Sequence, residues 1–187
     1  TDKIDLMPQV EEVKEKGYEI LYLTDYADEF VVQVLQNYDN KKFVNVASSE
    51  VNLENEEEKK EVEKLNTESK DLLDKMKDVL KDKVTSVKFT NSLKKHPVCL
   101  TSEGAISTGM EKVLNSMPTN EKVKASTVLS INASHPIAKK IKELYKTNPE
   151  EIEKYTKILY AQAKLIEGLT LDNPSEISDL ICEALSK

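Results

Sequence analysis

Arginine is missing altogether: all 27 basic residues of the 187 are lysine. Without a guanidinium there is no bidentate phosphate clamp, no arginine finger and none of the commonest base-reading side chain, so phosphoryl transfer and specific DNA recognition lose their usual tools. Lysine still binds phosphate, but only as a point charge. Glycine is almost as scarce. Its four copies, Gly17, Gly104, Gly109 and Gly168, cannot assemble a phosphate-cradling loop, and neither GxxxxGK[ST] nor GxGxxG occurs. The two histidines, His96 and His135, each precede a proline and have no second His or Cys at ligand spacing, which points to local turn roles and no metal site. Cys99 and Cys182 lack CxxC spacing, so a reducing compartment and two small buried hydrophobes are expected. No apolar run approaches the roughly 18 to 20 residues of a membrane span, and no signal-type n-region and h-region opens the chain. No GxSxG elbow or Ser/His/Asp arrangement is visible. No catalytic residue is assigned.

What is present suffices for a globular core, with 39% hydrophobic and 33% charged residues. The net charge of −7 is unevenly spread: residues 1–60 carry 15 acids against 7 lysines, the remainder 19 against 20. Two units are implied. In the first, residues 9–16 read as a short helix ending at Gly17, Ile20 to Leu23 as a strand, Asp28 to Tyr38 as an amphipathic helix, and Phe43 to Val46 as a second strand. The result is a small β-α-β segment over 1–53 with parallel pairing, the tail of a larger α/β domain, because two parallel strands cannot cover themselves.

A charged linker helix is predicted over 54–68, followed by a unit spanning 69–187. In that unit a helix begins near residue 69. Strands follow around Val84 to Phe89, at Val98 to Leu100 as its antiparallel neighbour, and at Val128 to Ile131. A short helix, 106–117, lies between the last two. Pro136, Pro149 and Pro174 open three terminal helices, with Asn148 and Asn173 as N-caps. The fold class is α+β: a small three-stranded sheet with helices and a C-terminal helical bundle, preceded by the β-α-β segment.

Two apolar stripes remain. Ile106, Met110, Val113, Leu114 and Met117 share one side of the short helix. Spacing alone leaves two readings: packing into the chain's own sheet, or a surface of adaptable methionines for varied apolar partners. The terminal pair carries Ile152, Tyr155, Ile158, Leu159, Leu165 and Ile166 on one helix and Ile177, Leu180, Ile181 and Leu185 on the next. Little chain is left to cover both. Packing on their own sheet or pairing with a second copy would bury them. A stand-alone dimerising adaptor and a small nucleotide-binding enzyme domain are the competing functional classes, the latter disfavoured by the missing glycine loop.

Several segments in order carry a family likeness: Leu21-Tyr22-Leu23-Thr24-Asp25-Tyr26-Ala27-Asp28-Glu29-Phe30, Lys41-Lys42-Phe43-Val44-Asn45-Val46, Glu103-Gly104-Ala105, Met110-Glu111-Lys112-Val113-Leu114, Ile131-Asn132 with His135-Pro136, and Leu159-Tyr160 with Glu167-Gly168. They resemble the heat shock protein 90 chaperones, closest to the bacterial and organellar high-temperature protein G type, over about residues 6–186. The resemblance implies the end of the middle domain and the whole C-terminal domain of an ATP-driven clamp, with ATP and Mg held in an N-terminal domain absent here and no cofactor in this portion. It further implies a homodimer through the last two helices and contact with unfolded client proteins through 106–117, with no nucleic acid or membrane partner. The chain closes at Lys187 without the acidic tail of the eukaryotic cytosolic members, so a cytoplasmic bacterial or an organellar member is expected.

Overall fold

The computed structural model describes residues 2–25, 27–48, 51, 53, 55–104, 106–118 and 123–186; Tyr26 and Ala105 of the family segments lie outside them. The elements run α1 (Asp2–Asp5), a 3-10 turn (Pro8–Val10), α2 (Glu11–Glu15), α3 (Asp28–Leu35), β1 (Asn37–Tyr38), β2 (Lys41–Lys42), α4 (Glu56–Glu68) and α5 (Lys70–Leu80). A second 3-10 turn (Lys81–Lys83) leads into β3 (Ser86–Thr90), β4 (Val98–Glu103), α6 (Thr108–Ser116), β5 (Ser126–Asn132), α7 (Pro136–Thr147), α8 (Glu151–Ile166) and α9 (Pro174–Leu185). The α+β class is as the sequence implies.

The main sheet has the order β3-β5-β4. β5 pairs in parallel with β3 and antiparallel with β4, Leu129 facing Val87 on one side and Leu100 on the other. The expected direct pairing of the strands at 84–89 and 98–100 is therefore corrected: β5 lies between them. Its composition accounts for this. Val128, Leu129 and Ile131 are at most 1% exposed and Ser130 between them is 2% exposed, a strand covered on both faces. On one face Val87, Phe89, Val98, Leu100, Leu129 and Ile131 meet the buried stripes of α5, α7 and α8: Leu72, Met76, Leu80, Ala138, Ile141, Ile152 and Leu159. The opposite face, with Cys99, Thr101 and Ser130, is roofed by the first 3-10 turn, α2 and Val46, Ser48, Val51 and Leu53, burying Val10 and Val13.

A helix forms over most of 54–68, as α4. Asn55 caps it, accepting from the Glu57 and Glu58 amides while Glu58 reaches back to the Asn55 amide, a complete capping box. Further along, Asn66 completes the outer edge of β3. Its Oδ1 accepts from Phe89 N at 2.8 Å, and its Nδ2 donates to Phe89 O at 3.0 Å and Val62 O at 2.9 Å. Truncation in Asn66→Ala leaves both Phe89 backbone groups without this partner, at a cost of about 1–3 kcal/mol. A melting temperature lower by roughly 2–10 °C in calorimetry is the expected result.

The first fifty residues depart from the predicted β-α-β. Residues 18–24 pair with no strand, α3 stops at Gln36, which has φ 56°, and Asp39 (φ 48°) and Asn40 (φ 58°) close the antiparallel hairpin β1–β2. Two successive left-handed residues make the two-residue hairpin turn whose twist matches its strands, so the chain folds back at once instead of crossing over. Among the described residues no layer covers this region: Leu21, Val31, Val34, Tyr38 and Val44 are 58–86% exposed.

Glu11 fastens the amino-terminal segment to the sheet. Its carboxylate accepts from Lys94 N at 2.9 Å and Lys95 N at 3.1 Å and meets His96 Nδ1 at 2.7 Å. Partial burial works to raise the Glu11 pKa, but these donors outweigh it and hold it below the ordinary 4.5. A carboxylate with a lowered folded pKa contributes stability that is present above its unfolded pKa and lost as pH falls through the folded value. The urea midpoint of the wild-type chain should therefore fall on acidification from pH 6 to below 4, while Glu11→Gln starts lower at pH 6 and falls less. Parallel curves would remove Glu11 from this role.

Candidate interaction surfaces

α6 begins at Ser107, whose Oγ accepts from Met110 N at 3.0 Å, while Thr108 N donates to Ser102 Oγ on β4 at 3.2 Å. Polar clamps hold the rest. Glu111 accepts from Ala125 N at 2.8 Å, Asn115 grips Val123 through N–H and C=O at 2.9 and 2.7 Å, and Lys112 Nζ donates to Glu167 O at 2.6 Å. Glu167 itself is buried and receives Gln9 Nε2 through its carboxylate. Burial pushes that carboxyl upward in pKa, against the Gln9 bond and the Lys112 charge.

The apolar stripe of α6 is divided by this anchoring. Met110 is 7% exposed, with Gln33 Nε2 3.0 Å from its sulfur. Ile106, Val113 and Leu114 are half-buried, and Met117 is exposed. Met110 therefore serves the protomer's interior, and what α6 leaves outward runs from Val113 to Met117.

A similar division splits the terminal pair. In α8, Ile152, Ile158 and Leu159 are buried within the protomer, and Tyr155 packs partly against the same core. Within the protomer α5, α7 and β4 already cover these side chains. Leu165 is exposed and Ile166 half-buried. α9 is different, for it buries no residue: Ile177 and Leu180 are half-buried, Ile181 is 37% exposed and Leu185 81%.

Charge fixes α9 on α8 while its apolar side stays open. Lys154, with a side chain only 9% exposed, lies 2.7 Å from Glu151 and 3.7 Å from Glu183 of α9. Lys157 meets Glu153 at 3.0 Å and Glu176 at 3.1 Å, and both carboxylates raise its pKa. Asn173 caps α9, as the sequence implies; Asn148 does not cap α8, whose N-cap is Glu150 without a side-chain bond. In the loop between the helices Asp172 joins Lys83 at 3.0 Å and Lys164 at 3.1 Å, and these lysines lower its pKa.

The remaining chemistry-bearing residues are structural. His135 Nδ1 accepts from Ile137 N at 3.2 Å and caps α7. Cys99 is buried, which pushes its thiol up to about 12, whereas Cys182 is exposed on α9 and so is not the buried hydrophobe expected. Among the described residues no three His, Cys, Asp or Glu side chains gather at metal-ligand spacing, and no helix is long and apolar enough to cross a membrane. Glu11, Lys112 and Glu167 escaped sequence reasoning. Each is a single polar residue whose partner lies 55 or more positions away, and periodicity carries no such signal.

A sheet packed against its own helices, with apolar side chains left exposed on α6 and α9, defines the class: an α+β module with open apolar faces. Comparison with known proteins gives the same class a family: the profile described as Hsp90 protein matches residues 1–187. Similar relatives are each called chaperone protein HtpG. That of Alkaliphilus oremlandii is 46% identical over 184 residues, 98% of this chain and 29% of the relative. Those of Clostridium botulinum (strain Loch Maree) and Bacillus subtilis (strain 168) are 45% and 41% identical over the same 98% and 29%. The chain belongs to the Hsp90 family, and it spans about 29% of the length of these curated relatives.

Proposed function

We propose that this chain is the dimerising, client-contacting portion of an ATP-dependent cytoplasmic chaperone of the Hsp90 type. Its units are the end of the middle domain (1–53), a linker helix (54–68) and a C-terminal dimerisation domain (69–187). It performs no catalysis itself; ATP and Mg belong to the remainder of the whole protein. The observation that carries dimerisation is α9, a twelve-residue helix with no buried residue and with Ile181 and Leu185 in solvent. Those side chains, with Leu180 and Leu165, meet their counterparts across a two-fold axis, a self-complementary patch that closes on itself. Light scattering at micromolar concentration tests this: about twice the 21.2 kDa chain mass supports it, and a persistent single-chain mass overturns it.

Client contact rests on the outward part of α6, from Val113 to Met117, where an adaptable thioether stands beside branched apolar side chains. The exposed apolar residues of 21–44 have a different role: the middle domain of the whole protein covers them. An adaptor that dimerises without touching clients gains some support from the polar clamps on α6. Substitution along its outer stripe separates the two readings.

A further inference from the structure

At the end of α5 the 3-10 turn, the approach to β5 and the start of β3 enclose a cleft of about 440 Å³. Lys77, Lys81, Lys83 and Lys124 line it, with Asp82 the only acid among the described residues that do so. Set against Asp82 and against Asp172 on Lys83, the four lysines leave a local excess of two positive charges among the described residues, with Glu103 accepting from Thr85 Oγ1 at the edge at 2.7 Å, in a chain of net charge −7. Among the described residues neither Lys77 nor Lys81 has an ion-pair partner, while Lys124 is aimed across the cleft, its ammonium donating to the Asp82 carbonyl. Lys81 also holds φ 51° and ψ −123°, a backbone conformation costly for a residue with a β-carbon and one that concentrates at functional sites.

We propose that this cleft binds a small anion carrying two or more linked phosphate groups. The volume suits a small molecule rather than a folded partner or a long peptide. Ammonium groups accept phosphate oxygens as compact point charges without demanding the planar geometry of a carboxylate fork. A cleft lined mainly by one sign of charge focuses its field despite the acidic surface around it.

The site reaches the terminal helices through Lys83. Its present counter-ion is Asp172, in the loop joining α8 to α9, and Asp172 also holds Lys164. A phosphate entering the cleft competes with Asp172 for Lys83, so occupancy and the α8–α9 loop are linked.

Titration of the full chain with sodium pyrophosphate at low ionic strength, followed by calorimetry, tests the proposal. Saturable one-to-one binding is expected, weaker in added salt. Lys77→Gln with Lys81→Gln should weaken it about tenfold, since two exposed charge contacts are lost. The melting temperature should hold, because both side chains lie in solvent. Asp172→Asn should tighten it about threefold by freeing Lys83. Absence of saturable heat into the millimolar range, equal binding by the lysine variant, or displacement of pyrophosphate by a hexa-aspartate peptide at equal concentration would overturn the phosphate site. Weaker binding by Asp172→Asn would overturn the competition.

Discussion

Ile181→Glu combined with Leu185→Glu is expected to turn a species of about twice 21.2 kDa into one of single-chain mass in sedimentation at micromolar concentration. Each protomer presents these two side chains to solvent at 37% and 81% exposure, so a two-fold pairing hides four of them. At about 1.5–3 kcal/mol for each large apolar side chain fully buried, they supply roughly 6–12 kcal/mol, and somewhat less because Ile181 is partly covered already. Association itself costs on the order of 4–15 kcal/mol. Removing a term of that size, at about tenfold in affinity per 1.4 kcal/mol, takes the dimer out of the micromolar range. Four glutamates brought together across the axis add repulsion in the same direction.

The isolated fold should survive this double change, because α9 contributes no buried side chain to the core. Ile152→Glu gives the contrast. At 0% exposure between the sheet and its helices, Ile152 cannot accept a charge without unfolding the protomer. A double-mass species that survives Ile181→Glu and Leu185→Glu would place the association surface elsewhere than α9.

The difference between those two helices marks what sequence pattern could and could not give. Spacing identified both apolar stripes, since residues three and four apart share a helix face whatever lies opposite. What lies opposite depends on α5, α7 and β4, whose arrangement is set by contacts distant in sequence. Ile152, Ile158 and Leu159 of α8 are therefore buried within the protomer while Ile181 and Leu185 of α9 face solvent, although the two stripes look alike in one dimension. The same reason explains β5: its apolar residues marked a strand, but nothing in β3 or β4 announced that it would separate them. Local chemistry was read more fully. The Asn173 cap and the proline starts of α7 and α9 depend on neighbours within three residues, and the structure forms them. Asp39-Asn40 was legible as a turn, yet the sharp hairpin it makes was hidden, because short apolar runs on either side do not reveal which strand each will join.

Client contact by α6 is expected to separate along the helix. Leu114→Asp with Met117→Asp should lower aggregation suppression by the whole chaperone while leaving the melting temperature near its original value. Met117 is 45% exposed and Leu114 half-buried, so a carboxylate at either position still reaches water. Met110→Asp should behave differently. At 7% exposure, and beside Gln33, it would place a carboxylate where water is largely excluded and remove an apolar side chain that fills the joint between α6 and α3. Losing a buried methionine and burying a polar group together cost about 2–5 kcal/mol, which in a domain of this size lowers the melting temperature by roughly 5–15 °C. The three clamps of Glu111, Lys112 and Asn115 remain in both variants, so the position of α6 is held while its outer surface changes. Full aggregation suppression by the Leu114→Asp and Met117→Asp protein would show that clients bind elsewhere and would favour the adaptor reading. A fall in its melting temperature equal to that of Met110→Asp would show instead that the outer stripe belongs to the protomer's own core.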